Sequence, residues 1–222
     1  MAHPAKGYRN AAGKRIPGTT TIISRFKDSG ALLWWAYSQG QAAQRGEINS
    51  LYDQRDEAAG IGTLVHEMVE KHIKSDALPA LDSLTPEQLE KVQSGFNAYL
   101  KWESMTKLKI VEQEMQLISE QYQFGGCPDA IGEIDGELCL IDWKTSKGVY
   151  QDYLIQLAAY NYLWHENRPD RPLTGGFHLC KFSKEHGDFS HHFWPELNDA
   201  WESFKLMRQL YDLDKVLKAR AA

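Results

Sequence analysis

Apolar residues change their spacing twice along this chain, and each change marks a different kind of element. The first 18 residues, rich in Gly, Lys and Arg, read as extended. The stretch "TTTIISRFKDSGALLWWAYSQGQAAQR" predicts a short helix, a break at Gly30 and a second helix burying Leu32, Leu33, Trp35 and Ala36. From Glu47 to Lys74 the apolar positions Leu64, Val65, Met68, Val69 and Ile73 keep the three-to-four step of a helix. Gly60 and Gly62 predict a bend or a fresh start near residue 61, since glycine weakens helix interiors. "SLTPEQLEKVQSGFNAYLKWES" has the clearest boundary, with Thr85 as N-cap, Pro86 in the first turn and Gln88 completing a capping box.

After residue 107 the period becomes that of strands. "KIVEQEMQLISE", "DAIGEIDG" and "ELCLIDWKTS" alternate or run apolar at strand length, and Asp135–Gly136 predicts a tight hairpin turn between the last two. "YQDYLIQLAAYNYLWHE" returns to the helical period. "TGGFHLCKFSKEHGDFSHHFWP" predicts two strands around a turn at Gly187, and a helix from about Glu196 to Lys218 closes the chain. The order predicts one α/β domain over residues 1–222, a mixed sheet covered by helices. Its parts are a mainly helical 1–107, a sheet core 108–195 and a C-terminal helix 196–222.

Composition narrows the setting. The chain has 222 residues, enough for one good core and cramped for two. A net charge of −5 argues against a protein that coats polyanions, yet leaves room for a nucleic-acid enzyme whose cations line one groove. Three cysteines, Cys127, Cys139 and Cys180, lie far apart, with no CxxC pair, so neither a disulfide framework nor a zinc site is expected. No run has the roughly 18 apolar residues of a membrane span, and the N-terminus lacks a signal-peptide core. The expected place is the cytoplasm.

The chemistry concentrates at the end of one apolar strand. In "GELCLIDWKTSK" the side chains of Asp142 and Lys144 share a face, and Trp143 points to the other. Counting outward from the Asp135–Gly136 turn sets Asp129 opposite or nearly opposite Asp142. Facing residues of that kind have Cβ atoms about 4.5–5.5 Å apart. Two carboxylates so close repel unless one is protonated or a cation lies between them. Oxygen ligands of this type suit Mg²⁺ or Mn²⁺. A plain Asp142–Lys144 ion pair is the simpler alternative.

Three more features bear on the choice. Gly62, His66 and Glu70 share one helical face, so His66 is a ligand or orienter, or else a core histidine. Asp152, Gln156 and Tyr160 form a polar stripe on the helix after the Asp142 strand. Glu114, with Glu112 as its rival, offers a further carboxylate from the preceding strand.

Together, "GTLVH" at 62–66, Asp129 after "GGCP", "IDWKTS" at 141–146 and Gln156-x-x-x-Tyr160 make the chain similar to the PD-(D/E)XK nuclease superfamily, specifically its RecB-like exonuclease branch. "IPGTTTIIS" and "RDEAAGIG" also resemble the phage-encoded members. The resemblance runs over roughly residues 16–182. It implies a restriction-endonuclease-like core, with Lys144, Asp129, Asp142 and Glu114 as catalytic residues. It implies Mg²⁺ or Mn²⁺ held by His66, Asp129, Asp142 and the Trp143 carbonyl. Gln156, Tyr160, Arg55, Thr145 and Ser146 would contact DNA. Some branch members carry a four-cysteine iron–sulfur cluster, and three cysteines predict none here.

The expected activity is a metal-dependent DNA exonuclease acting on single-stranded or frayed ends in replication, recombination or repair. Its partner would be a single-strand-annealing or recombination protein, and its setting a bacterial cell or a phage-infected host. Lys14, Arg15, Arg25, Lys27, Arg45 and Arg55 could line a channel, and Trp34, Trp35 and Tyr52 could stack on bases or belong to the core. A structure-specific endonuclease and a non-catalytic DNA-binding component are the alternatives.

Overall fold

A computed structural model describes residues 7–27, 30–48 and 53–221; within these, the side chains of 31, 32, 53–56 and 58 are outside the description. The sheet begins with the hairpin that the Asp135–Gly136 dipeptide predicts. Both turn residues are left-handed, at φ 52° and 85°, which matches the right-handed twist of the flanking strands. On either side lie β6 (Ala130–Ile134) and β7 (Glu137–Lys144), paired antiparallel from Ile134–Glu137 to Ala130–Ile141. To β6 is added β3 (Lys109–Gln113), and β7 pairs in parallel with β8 (Phe177–Phe182), which meets β9 (Phe189–Trp194) antiparallel. The sheet order is therefore β3-β6-β7-β8-β9, a mixed sheet with β7 at its centre. A parallel neighbour needs a crossover, and α5 (Gln151–Asn167) supplies it.

Alternation along β7 divides the core in two. Cys139, Ile141 and Trp143 face α3 (Asp53–Lys74) and α4 (Pro86–Thr106), packing with Val65, Met68, Val92, Tyr99 and Trp102. Leu140 faces the other way, toward α1 (Thr19–Arg25), α5 and α6 (Asn198–Ala221), with Ile22, Leu157, Leu163 and Phe204. A strand buried on both faces explains the near-continuous apolar run. The capping box of α4 is present, with the Thr85 side chain accepting from the Gln88 N–H and the Gln88 side chain from the Thr85 N–H.

Several sequence expectations change. "KIVEQEMQLISE" is two strands, not one. Glu114 adopts a left-handed φ of 50°, and beyond it β4 (Leu117–Ser119) leaves the main sheet to pair with β5 (Phe124–Gly126). The bend or restart expected near residue 61 is absent, and α3 runs unbroken through Gly60 and Gly62. Burial of Ile61, Val65, Met68 and Val69 outweighs the glycine cost there. That helix begins at Asp53 rather than Glu47, with residues 49–52 outside the described set.

The second predicted helix exists as α2 (Gly30–Gln44) but does not bury its apolar residues. Leu33 and Trp34 are 67% and 71% exposed, Ala36 is exposed, Trp35 is half-buried, and Leu32 lies outside the described side chains. The N-terminal segment forms a small hairpin, β1 (Tyr8–Arg9) with β2 (Arg15–Ile16). No described helix is long and apolar enough to cross a membrane.

Candidate active site

Carrying the β6–β7 register one step beyond Ala130–Ile141 sets Asp129 opposite Asp142, at the open end of the hairpin. The two side chains face α5, on the same side of the sheet as Leu140 and Ile131. Asp129 is 5% exposed and Asp142 1%. One oxygen of Asp129 (Oδ2) accepts the Trp143 backbone N–H at 3.0 Å, which locks the carboxylate to the neighbouring strand. Asp142 forms an ion pair with Lys144 through Oδ2, and its Oδ1 is buried with no hydrogen-bond donor. Trp143 itself turns its ring into the aromatic cluster, 5.6 Å from Tyr99 and 6.2 Å from Trp102.

The third component arrives on α3. Gly62 lies against Thr145, where a Cβ would stand 2.7 Å from Thr145 Oγ1, so only glycine lets the helix come this close. One turn later His66 is nearly buried, its Nδ1 4.0 Å from Asp129 Oδ2 and without a hydrogen-bond partner. Burial, then the Lys144 charge, pulls the His66 pKa down to about 4. The imidazole is therefore neutral at physiological pH and makes no ion pair with Asp129. In the tautomer with its proton on Nε2, the unpartnered Nδ1 offers a lone pair to a metal.

Burial pushes both Asp129 and Asp142 up to about 6, against the lowering effect of Lys144. For Lys144, burial works to lower the pKa, but the charges of Asp142 and Asp129 outweigh it and leave the ammonium above its ordinary value. Lys144 thus stays protonated at neutral pH. Its Nζ also sits 5.0 Å from the centre of the Tyr153 ring, a cation–π contact that the sequence reading missed. The available signal was position: Tyr153 is three residues before Gln156, on the helix that follows the Asp142 strand.

The donor set suits a divalent cation. Two buried carboxylates, one with an undonated oxygen, and a neutral imidazole with an unshared nitrogen lack the positive charge that would satisfy them all. Among the described residues no three His, Cys, Asp or Glu side chains form a complete metal cage. The fit rests on those orphaned lone pairs.

Glu114 borders the same region. Its left-handed backbone is held by its N–H bonding to the Asp129 carbonyl at 3.1 Å, and the Cys127 thiol donates to its carboxylate at 3.5 Å. Glu112 is drawn elsewhere, to Arg171 at 2.7 Å and Arg168 at 3.7 Å. On α5, Gln156 Nε2 donates to Tyr160 Oη at 2.9 Å, and burial raises the pKa of the Tyr160 phenol, helped by Asp142 and Asp129. Asp152 leaves the expected stripe, because Lys27 takes it at 2.6 Å.

Other expected contacts are scattered. Ser146 Oγ donates to the Gly148 carbonyl at 2.7 Å, and Thr145 packs on Gly62. Arg55 lies in α3 with its side chain outside the described set, and Tyr52 is outside it altogether. Lys14 and Arg15 are exposed. Arg25 is held by Asp214 at 2.7 Å and Arg45 by Glu47 at 2.6 Å. Trp34 stands exposed beside Tyr37, ring centres 5.8 Å apart.

The sequence model of the PD-(D/E)XK nuclease superfamily matches residues 31–219 of this chain. No curated protein matches it. Among solved structures, a candidate exonuclease from Eubacterium rectale is similar at 13% identity and a TM-score of 0.47. That alignment covers 66% of this chain and 64% of the other. The protein SSO0001 is similar at 15% identity and a TM-score of 0.30, over 65% of this chain and 74% of its own.

Proposed function

Since the chain belongs to the PD-(D/E)XK nuclease superfamily, we propose that it is a Mg²⁺- or Mn²⁺-dependent deoxyribonuclease of the RecB-like branch, degrading DNA from single-stranded or frayed ends. The observation that carries this reading is the buried pair Asp129 and Asp142 with Lys144 beside them. His66, Asp129, Asp142 and the Trp143 carbonyl would hold the metal. When bound, that ion polarises the scissile phosphoryl group and lowers the pKa of the attacking water.

The protein's own groups do the rest. Lys144 is already protonated, so it is no base; it orients the water and offsets negative charge gathering on the phosphoryl oxygens. Tyr153 braces the ammonium with its ring face. Gln156 and Tyr160, bonded to each other on α5, would meet the DNA backbone near the cleaved bond, and Thr145, Ser146 and Arg55 would guide the strand. Glu114 serves as an outer carboxylate that positions the Asp129 segment through its backbone.

A preference for ends rather than duplex fits the charge distribution. The net charge is −5, and Arg25, Lys27 and Arg45 are each engaged by a carboxylate, which leaves no broad basic face among them. The whole of 1–222 acts as one nuclease domain in this reading, within DNA replication, recombination or repair and beside a strand-annealing or recombination partner.

End-labelled linear and circular single and double strands, in Mg²⁺, Mn²⁺ or EDTA, test it. Progressive loss of linear single strands in metal alone, with circles spared, is the expected result. Cut circles would make the protein an endonuclease. Metal-independent binding without any product would make it a non-catalytic component.

A further inference from the structure

The last helix carries its leucines on the wrong side for a monomer. In α6 the core-facing residues are Trp201, Phe204, Met207 and Tyr211; Phe204 is fully buried and Trp201 stacks on Tyr162 with ring centres 4.3 Å apart. Arg208, on the same side, donates to the Tyr122 carbonyl at 2.9 Å. About 200° further round the helix, two residues on from Phe204, a second apolar line begins. Leu206, Leu210, Leu213 and Leu217 recur at steps of four, three and four, and they are 61%, 49%, 57% and 62% exposed. That step is the heptad seam of helices that pair with helices. Val216, 47% exposed, widens it.

We propose that this face is a self-association surface through which two copies of the chain pair antiparallel, α6 against α6. The four leucines are placed symmetrically about the midpoint between Tyr211 and Asp212. A two-fold axis there sets Leu206 against Leu217 of the second copy and Leu210 against Leu213, so every leucine meets a leucine. Such a face is complementary to itself, the condition for a closed dimer.

Charge selects the same partner and the same direction. The helix opens with Asp199 and Glu202 and closes with Lys218 and Arg220. Antiparallel pairing brings the acidic end of one copy to the basic end of the other and opposes the two helix dipoles. It places Glu202 level with Arg220 of the second copy, on the same flank of the seam. Parallel pairing would set like ends together. Within the chain Asp212 is held by Arg208 at 2.8 Å, Asp214 by Arg25 at 2.7 Å and Lys218 at 3.3 Å, and Glu202 by Lys205 at 2.7 Å, so in the dimer Glu202 would share its carboxylate between Lys205 and Arg220 of the second copy. The seam lies opposite the face of α6 that packs toward α5.

Sedimentation of the full chain over a wide concentration range is the test. A reversible monomer–dimer equilibrium is expected, and Leu210→Glu with Leu213→Glu should raise its Kd at least 100-fold. These leucines are exposed in the monomer, so circular dichroism of the double variant should stay unchanged. Glu202→Lys alone should weaken the dimer, and adding Arg220→Glu should restore it.

Direction is read from disulfides, since the three native cysteines are all buried. Leu206→Cys mixed with Leu217→Cys should cross-link on oxidation, and neither variant should cross-link alone. The proposal is overturned by a wild-type chain that stays monomeric throughout, by a dimer that survives the double glutamate variant, or by cross-linking of Leu206→Cys to itself. A monomer that instead retains a different protein on this face also overturns it.

Discussion

Gly62 of α3 and Thr145 at the end of β7 are so close that a Cβ on the glycine would lie 2.7 Å from the threonine hydroxyl. This contact fixes how far α3 leans toward the strand, and therefore where His66 stands relative to Asp129. Gly62→Ala gains about 1 kcal/mol of helix propensity but must push the helix or Thr145 aside. The expected outcome is metal-dependent nuclease activity down by about 10-fold or more, because small misplacements at a reacting centre are costly. Gly60→Ala is the control. Nothing lies within 4 Å of its Cβ, so thermal melting should show a gain of about 0.5–1 kcal/mol with activity unchanged.

Lys144→Ala should abolish turnover by about 10²–10³-fold, read from initial rates on labelled single strands. It also strips a buried carboxylate of its cation. In EDTA the variant should therefore melt several degrees lower, by a loss on the order of 3 kcal/mol. Mg²⁺ should then raise its melting temperature more than it raises that of the wild type, since the added ion replaces the missing charge.

Asp142→Asn should stabilise the metal-free protein, with a sign that depends on pH. The folded pKa of about 6 lies above the ordinary carboxylate value, so the folded state binds this proton more tightly than the unfolded chain does. The wild-type site is unpenalised below pH about 4 and loses about 2–3 kcal/mol as pH rises through 6. Asn carries no charge and escapes that loss. Chemical denaturation in EDTA should show equal stabilities near pH 4 and an advantage for the variant above pH 6. His66 contributes with the opposite sign, since its lowered pKa favours higher pH, and loss of the Asp142 charge that raises it lowers it further in the variant.

Tyr153 should behave as a positioning residue. Tyr153→Phe keeps the ring under the ammonium and should leave turnover near wild type. Tyr153→Leu removes the ring face, worth about 0.5–2 kcal/mol to a cation, and should lower kcat several-fold with little change in KM. A hydroxyl-dependent role would show as equal losses in both variants.

Much of the strand that carries the candidate site could be read from local chemistry. An Asp-Gly dipeptide between alternating residues fixes a two-residue turn, and the turn fixes the register that pairs Asp129 with Asp142. Thr85, Pro86 and Gln88 fix the start of α4 in the same local way. What stayed hidden depends on distant partners. The left-handed Glu114 is set by the Asp129 carbonyl, and the straight α3 by its packing on α4 and the fit of Gly62 to Thr145. Lys27 diverts Asp152 from 125 residues away in sequence. Apolar spacing alone could not tell the outward leucines of α6 from core residues, because the period is the same on either side of a helix.

Trp143 links the two halves of the molecule through one residue. Its ring is a wall of the aromatic cluster on the α4 side, and its N–H holds Asp129 on the other. Substitutions at Tyr99 or Trp102, on the opposite side of the sheet from the Asp129 and Asp142 side chains, would then surface in an activity screen among the active-site mutants. The protein has little freedom to drift in that cluster without retuning its chemistry.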